Sequence, residues 1–353
     1  MKKFLIIRRD NIGDLICTTP LFEALKARFP DAAIHALVNS YNSAVLEGNP
    51  NVSKIHVYEK LKHQENILSV PGAVARRIQV LIKLRKMRFD YGIIAGSGFQ
   101  PRVVNYLRWI RPAHVIGYVA ESNSASRVID LGLPVKTARG LHEVEAVFRL
   151  LTKLDIHGIA SSVKVYPKKT AIFDENSPEH RERQLCVGVH ISSRKPSQRW
   201  PVDKFVEFIR QLRERYSAKV LLFWSPGAES NERHPGDDDK ANMILSQLND
   251  PAVVPMATSI LRDLIDAMAE PDLFVCSDGG AMHIAAGLGK PILCLFGDSD
   301  RTKWRPWGVP YVLLQPDSKT VSDISLGDVA NGFSALIEKV GAQTKKIPQP
   351  SAL

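Results

Sequence analysis

The pattern best suited to chemistry runs from Cys276 to Gly297. A short apolar run, Leu273 to Cys276, feeds into Ser277-Asp278-Gly279-Gly280. Small residues from Ala281 to Leu288 follow, then Gly289 and a second apolar run, Ile292 to Phe296. That order spells strand, glycine turn, helix, glycine stop and strand, a parallel βαβ unit. Residues without a Cβ let a ligand come close to the main chain. The free N–H groups and positive dipole end of the following helix favour an anion there, phosphate being the natural guest. A tight turn with close helix–sheet packing and no ligand fits the same residues. Asp278 would repel a phosphate unless it bonds a hydroxyl or backbone amides. His283, one turn into the helix, either faces the phosphate or serves packing.

Three other loops carry reactive types. Arg8-Arg9-Asp10-Asn11-Ile12-Gly13-Asp14 follows the first apolar run, Phe4 to Ile7. There the Asp14 carboxylate reads as a base for an incoming hydroxyl or as an ordinary capping or turn aspartate. Between His190 and Pro201, Ser192 and Ser193 can donate to phosphate oxygens, and Lys195 or Arg199 can neutralise a diphosphate. A solvated loop with a salt bridge reads equally from those residues, and Trp200 reads as packing. Glu229 follows a strand-like run, where an acid commonly accepts from ribose hydroxyls; a plain surface glutamate is the other reading. No Asp, His, Glu or Cys grouping suggests a metal. No G-x-S-x-G, P-loop or G-x-G-x-x-G motif is present.

The elements that must position these loops alternate strand and helix twice over. In the first half, strands are expected at Phe4–Ile7, Ala33–Val38, Ile55–Tyr58 and Tyr91–Ala95. Arg8–Cys17 reads as loop, with Thr19 as the cap of a helix reaching Phe29 and Pro20 at its first position. A basic helix is expected over residues 72–89, a flexible polar loop over Ser122–Ser126 and a helix over Leu141–Leu154. A polar linker with Pro167 and Pro178 separates Tyr166 from Arg183. The alternation restarts with a strand at Leu185–His190, a helix from Pro201 to Tyr216, and strands at Val220–Trp224 and Ala252–Val254. A helix over Ile260–Ala269, capped by Ser259, precedes the glycine-turn unit, and Tyr311–Leu314 closes the sheet. Residues beyond Lys345 read as frayed. Repeated βα alternation predicts parallel sheets with helices on both faces. The expected domains are 1–170 and 183–345, each a doubly wound α/β sheet, with the site in the cleft between them.

Composition bounds the partners. With 353 residues, 44% hydrophobic and 24% charged, the chain suits a globular protein of two domains. No apolar run approaches the roughly 18 residues needed to span a bilayer, and the N-terminal run is too short for a signal peptide. Cys17, Cys186, Cys276 and Cys294 are scattered, as expected of buried free thiols in a reducing cytoplasm. The net charge of +10 is uneven: residues 1–170 hold 26 Lys and Arg against 13 Asp and Glu, whereas residues 171–353 hold 21 against 24. Such asymmetry suggests that the first half meets an anionic partner. Its densest part, residues 72–89, carries Arg76, Arg77, Lys83, Arg85, Lys86 and Arg88. That segment reads either as a helix lying on an anionic membrane surface or as a solvated outer face. No nucleic-acid-binding motif accompanies the charge, so no nucleic-acid partner is expected.

Taken together, these motifs resemble glycosyltransferase family 9, the ADP-heptose:lipopolysaccharide heptosyltransferases. Arg9 to Asp14 followed by Thr18-Thr19-Pro20 is similar to the family's opening signature. Ser277 to Pro291 is similar to its donor-binding signature, extended by Phe296-Gly297 and Trp304 to Gly308. Arg199-Trp200-Pro201 adds a third match in the right order. The resemblance implies a GT-B fold of two Rossmann-like domains, the first for acceptor and the second for nucleotide sugar. It implies Asp14 as the base, with Arg9, Asn11, Gly13, Arg76 and Arg77 toward the acceptor. It implies Ser192, Ser193, Lys195, Arg199 and the amides of Gly279, Gly280 and Ala281 around the diphosphate. Glu229 would hold the ribose, Met256 would lie near the adenine, Asp278 would contact the sugar and His283 the phosphate. The resemblance implies an ADP-sugar donor, no cofactor or metal, and an anionic lipid-linked glycan acceptor at the cytoplasmic face of the inner membrane. The chain departs from the family where Gln198 replaces a lysine and where Gly279 replaces a threonine. A GT-B nucleotide-sugar epimerase and a non-catalytic nucleotide-sugar or glycan-binding protein are the alternative readings.

Overall fold

A computed structural model describes residues 1–59, 70–120, 123–168, 184–231 and 235–344. The chain divides into two compact units, Met1–Tyr166 and Pro167–Leu353. Most of the expected linker, and the tail beyond 344, lie outside the described residues.

The first unit is built on a six-stranded parallel sheet. In chain order its strands are β1 (Lys3–Ile7), β2 (Ala33–Asn39), β3 (Lys54–Tyr58), β4 (Tyr91–Ile94), β5 (His114–Val119) and β6 (Leu131–Pro134), arranged β3-β2-β1-β4-β5-β6. β1 is central, and its Phe4, Leu5, Ile6 and Ile7 are all at most 1% exposed. That is why it reads as an unbroken apolar run rather than an alternating one. The helices are α1 (Ile12–Ile16), α2 (Thr19–Arg28), α3 (Val70–Lys86), α4 (Pro101–Ile110) and α5 (Glu143–Arg149).

The second unit repeats the plan with β7 (Cys186–His190), β8 (Lys219–Trp224), β9 (Val253–Ala257), β10 (Leu273–Ser277), β11 (Ile292–Leu295) and β12 (Tyr311–Leu314), in the order β12-β11-β10-β7-β8-β9. Its helices are α6 (Val202–Tyr216), α7 (Asp238–Leu248), α8 (Leu261–Ala267), α9 (Gly280–Gly287), α10 (Arg301–Trp304) and α11 (Leu326–Thr344). α6 buries Phe205, Val206, Phe208, Ile209 and Leu212 on one stripe, the spacing of a helix laid on a sheet. Trp200 is 1% exposed, edge-on to Phe205, and its indole donates to the Ile324 carbonyl at 3.1 Å; it is a packing residue. All four cysteines are buried and free.

Both sheets therefore share one winding. The chain goes outward from the first strand, then returns to add the fourth strand on that strand's other side. The reversal leaves a crevice at the carboxyl ends of β1 and β4, and another at those of β7 and β10, where ligands bind in open α/β sheets.

Several boundaries differ from the sequence reading. The segment read as loop, Arg8–Cys17, contains α1. The cap of α2 is Thr18 rather than Thr19, whose hydroxyl donates instead to the Ile16 carbonyl at 2.7 Å. α8 is capped at Ile260, not Ser259. The helix expected over Leu141–Leu154 ends at Arg149 and tightens into a 3-10 turn over Leu150–Leu154. The Ser122–Ser126 loop winds from Ser124 into a 3-10 turn. α4, β5, β6, α7 and the long α11 were not anticipated.

Candidate functional site

In the first unit the loop after β1 is organised around a buried guanidinium. Arg8 is 2% exposed. Its Nη2 lies 2.5 Å from Asp14 Oδ1 and 2.8 Å from Glu143 Oε1, its Nε lies 3.2 Å from Asp10, and its Nη1 donates to the Ala95 carbonyl. Burial works against that charge, but Asp14, Glu143 and Asp10 together outweigh it and hold the guanidinium's pKa above its ordinary value. For Asp10 the balance runs the other way. Its burial raises the pKa, and Asp14 and Glu143 add to that against the pull of Arg8. The arrangement spans the crevice between β1 and β4, because Arg8 directly follows β1 and Ala95 directly follows β4.

Of the two readings open in the sequence, Asp14 shows the capping one. It is the third residue of α1, and its Oδ2 accepts from the Asn11 amide at 3.0 Å, closing a capping box. The same carboxylate is 14% exposed and pinned by Arg8. Gly13 lies within α1. The loop is held from below by the fully buried Asn39, whose amide donates to the carbonyls of Arg9 and Asp10 at 2.8 and 3.1 Å. Arg9 donates to the Tyr58 hydroxyl at 2.8 Å, with its guanidinium 4.6 Å from the Tyr106 ring centre and 5.4 Å from that of Tyr58. Arg77 lies 5.5 Å from the same Tyr58 ring and donates to the Glu59 carbonyl, while Arg76 pairs with the Glu59 carboxylate at 2.6 Å. Arg9 and Arg77 thus meet at one tyrosine, and Arg76 is turned to a neighbouring acid.

In the second unit the loops after β7, β10 and β11 are bonded together at the other crevice. Ser299 donates to Asp278 at 2.5 Å and accepts from the Gln198 amide at 2.9 Å, and the Gln198 carbonyl oxygen accepts from Gly297 N at 2.9 Å. Gln198 is 1% exposed. It stands as a neutral tie between loops, not as a substitute phosphate cation. Lys195 pairs with Asp298 at 3.3 Å, and Arg199 pairs with Glu229 while its Nε donates to the Ser193 carbonyl. Ser192 Oγ accepts from Ser225 N at 2.9 Å. Met256 is partly buried near the end of β9, beside Phe223 in register.

Gly279 precedes α9 in extended backbone, and a Cβ placed there would meet no atom within 4 Å. The fold therefore does not need glycine at this position, and the space beside it is open to a ligand. Gly280 and Ala281 begin α9. His283 is 5% exposed, and its ring meets Trp304 edge-on at 6.1 Å.

Three contributors escaped the sequence reading: Arg8, Glu143 and Lys240. Lys240 Nζ donates to the carbonyls of Ile191 and Trp200 at 3.1 and 3.0 Å, clamping both ends of the loop that carries Ser192 to Arg199. Burial lowers its pKa to about 8, against the opposing pull of Asp237. It lines a cavity of about 160 Å³ with Arg199, Glu229, Asp237 and Met243. Among the described residues, no group of three His, Cys, Asp or Glu side chains is placed to hold a metal ion.

Comparison with known proteins follows this geometry. The profile of glycosyltransferase family 9 (heptosyltransferase) matches residues 78–325. The chain is 24% identical over 300 residues to lipopolysaccharide heptosyltransferase 3 of Escherichia coli, covering 84% of this chain and 83% of that protein. It is 25% identical over 314 residues to lipopolysaccharide heptosyltransferase 2 of Salmonella typhimurium, with the same two shares. A family 9 glycosyl transferase structure from Veillonella parvula superposes with a TM-score of 0.75 at 21% identity, over 96% of this chain and 97% of that one. An E. coli heptosyltransferase solved with ADP gives 0.76 at 17% identity, over 95% and 99%. The fold is accordingly GT-B. With the profile matched over more than half its length, the chain belongs to glycosyltransferase family 9 (heptosyltransferase) and is a glycosyltransferase.

Proposed function

We propose that the enzyme moves a heptose, with inversion, from ADP-heptose to a hydroxyl of an anionic lipopolysaccharide core acceptor at the cytoplasmic face of the inner membrane. The observation that carries this reading is the Asp278-Gly279-Gly280 turn. It opens at the start of α9 beside the β7–β10 crevice, with room for a ligand over Gly279. The names of the relatives, lipopolysaccharide heptosyltransferases, support the sugar and the acceptor class.

In this reading Asp14 takes the proton of the acceptor hydroxyl as its oxygen attacks the anomeric carbon. The bond from that carbon to the β-phosphate oxygen breaks, and ADP leaves with the electron pair. Negative charge grows on the departing phosphate, so donors aimed there stabilise the transition state more than the ground state. The amides of Gly279, Gly280 and Ala281, Ser192, Ser193, His283 and the cations Lys195 and Arg199 fill that role. Glu229, restrained by Arg199, accepts from the ribose; Met256 borders the adenine and Asp278 the sugar. Arg9 and Arg77, with Asn11, Gly13 and Arg76, lie on the acceptor side. The proposal includes no metal and no cofactor. Loss of one preorganised donor raises such a barrier by about 3 kcal/mol.

Calorimetric titration with ADP, UDP and GDP, on the wild type and on Gly279→Val, tests the donor assignment. Selective ADP binding that vanishes in Gly279→Val is expected, with the variant's melting temperature little changed because a Cβ at this position meets no protein atom within 4 Å. Preference for UDP or GDP would replace the donor. Binding unaffected by the valine would remove the glycine turn from the site.

A further inference from the structure

One outer face of the first unit carries apolar side chains and cations that the proposed chemistry does not use. On α3, Ile78 and Ile82 lie one turn apart and are each 50% exposed. One turn further on, the exposed Arg85 and Lys86 continue the same stripe, flanked by the exposed Lys83. α3 packs against α4, and Arg85 donates to the Trp109 carbonyl at 2.9 Å. Trp109, on α4, is 68% exposed, with the exposed Arg108 and Arg111 beside it. Two hollows open here. One of about 460 Å³ is lined by Gln79, Ile82, Lys83, Lys86 and Met87. The other, of about 540 Å³, is lined by Arg85, Asn105, Arg108, Trp109 and Arg111. From Val70 to Arg111 the chain has one acidic residue, Asp90.

We infer that this α3–α4 face docks the enzyme on an anionic lipid bilayer surface. Each component fits that occupant. A tryptophan two-thirds exposed sits well at headgroup depth, where its ring is apolar and its N–H finds water or phosphate. Isoleucines on the same face enter the acyl boundary. Lysines and arginines around them reach the anionic headgroups while their stems cover apolar surface. Of the six cations that the sequence offers over residues 72–89, Arg76 is occupied by Glu59 and Arg77 turns to Tyr58, so neither belongs to the docking face, whereas Lys83, Arg85 and Lys86 do. No helix among the described residues is long and apolar enough to cross a membrane, and a docked helix pair needs none. This inference concerns where the enzyme sits and is independent of the donor and acceptor assignments.

The test is sedimentation of the full chain with phosphatidylcholine vesicles that contain phosphatidylglycerol, against pure phosphatidylcholine. The expected result is binding to the anionic vesicles alone, weakened by salt as exposed charges are screened. Each neutralised cation, in Arg85→Gln, Lys86→Gln or Arg108→Gln, should lower partitioning about fivefold. Quenching of tryptophan emission by brominated lipid should disappear in Trp109→Phe. These positions are exposed, so ADP affinity and the melting temperature of each variant serve as the control for folding. Equal binding to neutral vesicles, no binding, or full binding by the triple glutamine variant would overturn the inference. So would a monomer–dimer equilibrium, seen by analytical ultracentrifugation without lipid and abolished by Trp109→Ala, since the face would then belong to a second copy of the chain.

Discussion

Arg8 joins three carboxylates that would otherwise repel one another at the head of the first sheet. A buried guanidinium suits this because its planar fork serves several oxygens at once. Glu143 is brought to it by the start of α5, where the His142 side chain accepts from Val144 N and Glu145 bonds back to His142 N. Breaking a buried ion pair outright destabilises by about 3–5 kcal/mol. In Glu143→Gln, Arg8 keeps Asp14 and Asp10, so the loss read from urea unfolding should be smaller, about 2 kcal/mol. An unchanged midpoint would show that Glu143 contributes nothing net. Lys240 allows a test by pH. Its folded pKa of about 8 lies below the ordinary 10.5. Between those values the unfolded chain keeps a proton that the folded chain has shed. Stability of the wild type relative to Lys240→Met should therefore rise with pH across that window and be flat below it. A difference independent of pH would mean that the clamp keeps an ordinary lysine.

Turns decide the geometry of the second site, and its glycines are not equivalent. Gly297 faces the Ser197 carbonyl so closely that a Cβ has no room, with Lys319 O only 3.1 Å from where it would stand. Gly297→Ala should lower stability by about 1–3 kcal/mol, as overpacking does. Gly279→Ala should leave stability within about 0.5 kcal/mol of wild type. Thermal melts of the two variants decide, and equal melting temperatures would contradict the contrast. The sequence showed both glycines but not this difference, because the neighbour that crowds Gly297 comes from a loop 100 residues earlier. The same limit hid Gln198. Its place two residues before Trp200 suggested a missing cation, and only the fold reveals an amide tying the loops after β7 and β11. Strands such as β1 and β10 were legible as apolar runs bounded by turn residues. β6 is Leu-Gly-Leu-Pro, short and ending in proline, and carries no strand pattern of its own. α4 has no strong cap, its Gln100 side chain making no capping bond. The Arg8 cluster was out of reach because Arg8 and Glu143 are 135 residues apart. Asp14 was visible as a reactive type, yet its capping bond and its ion pair hold together, a combination that spacing does not express.

At the scale of the molecule, two units of the same winding divide one charge imbalance. Residues 1–170 are basic and the rest slightly acidic, as the proposal of an anionic acceptor on the first unit requires. Each unit has its own buried core, so each should give its own unfolding transition. ADP at about 100 times its Kd should add about 2.7 kcal/mol to the transition of the second unit. Scanning calorimetry with and without ADP shows this. A shift confined to the first unit's transition would put the nucleotide on the wrong sheet.

The central claim is that Asp14 deprotonates an acceptor for transfer from an ADP-sugar held by the second unit. The most direct measurement is ADP release from ADP-heptose with lipopolysaccharide core acceptor, by wild type and Asp14→Asn, beside their ADP affinities. The account predicts acceptor-dependent release by the wild type, none above background by Asp14→Asn, and equal ADP affinity in both. Near-normal turnover in Asp14→Asn would contradict it.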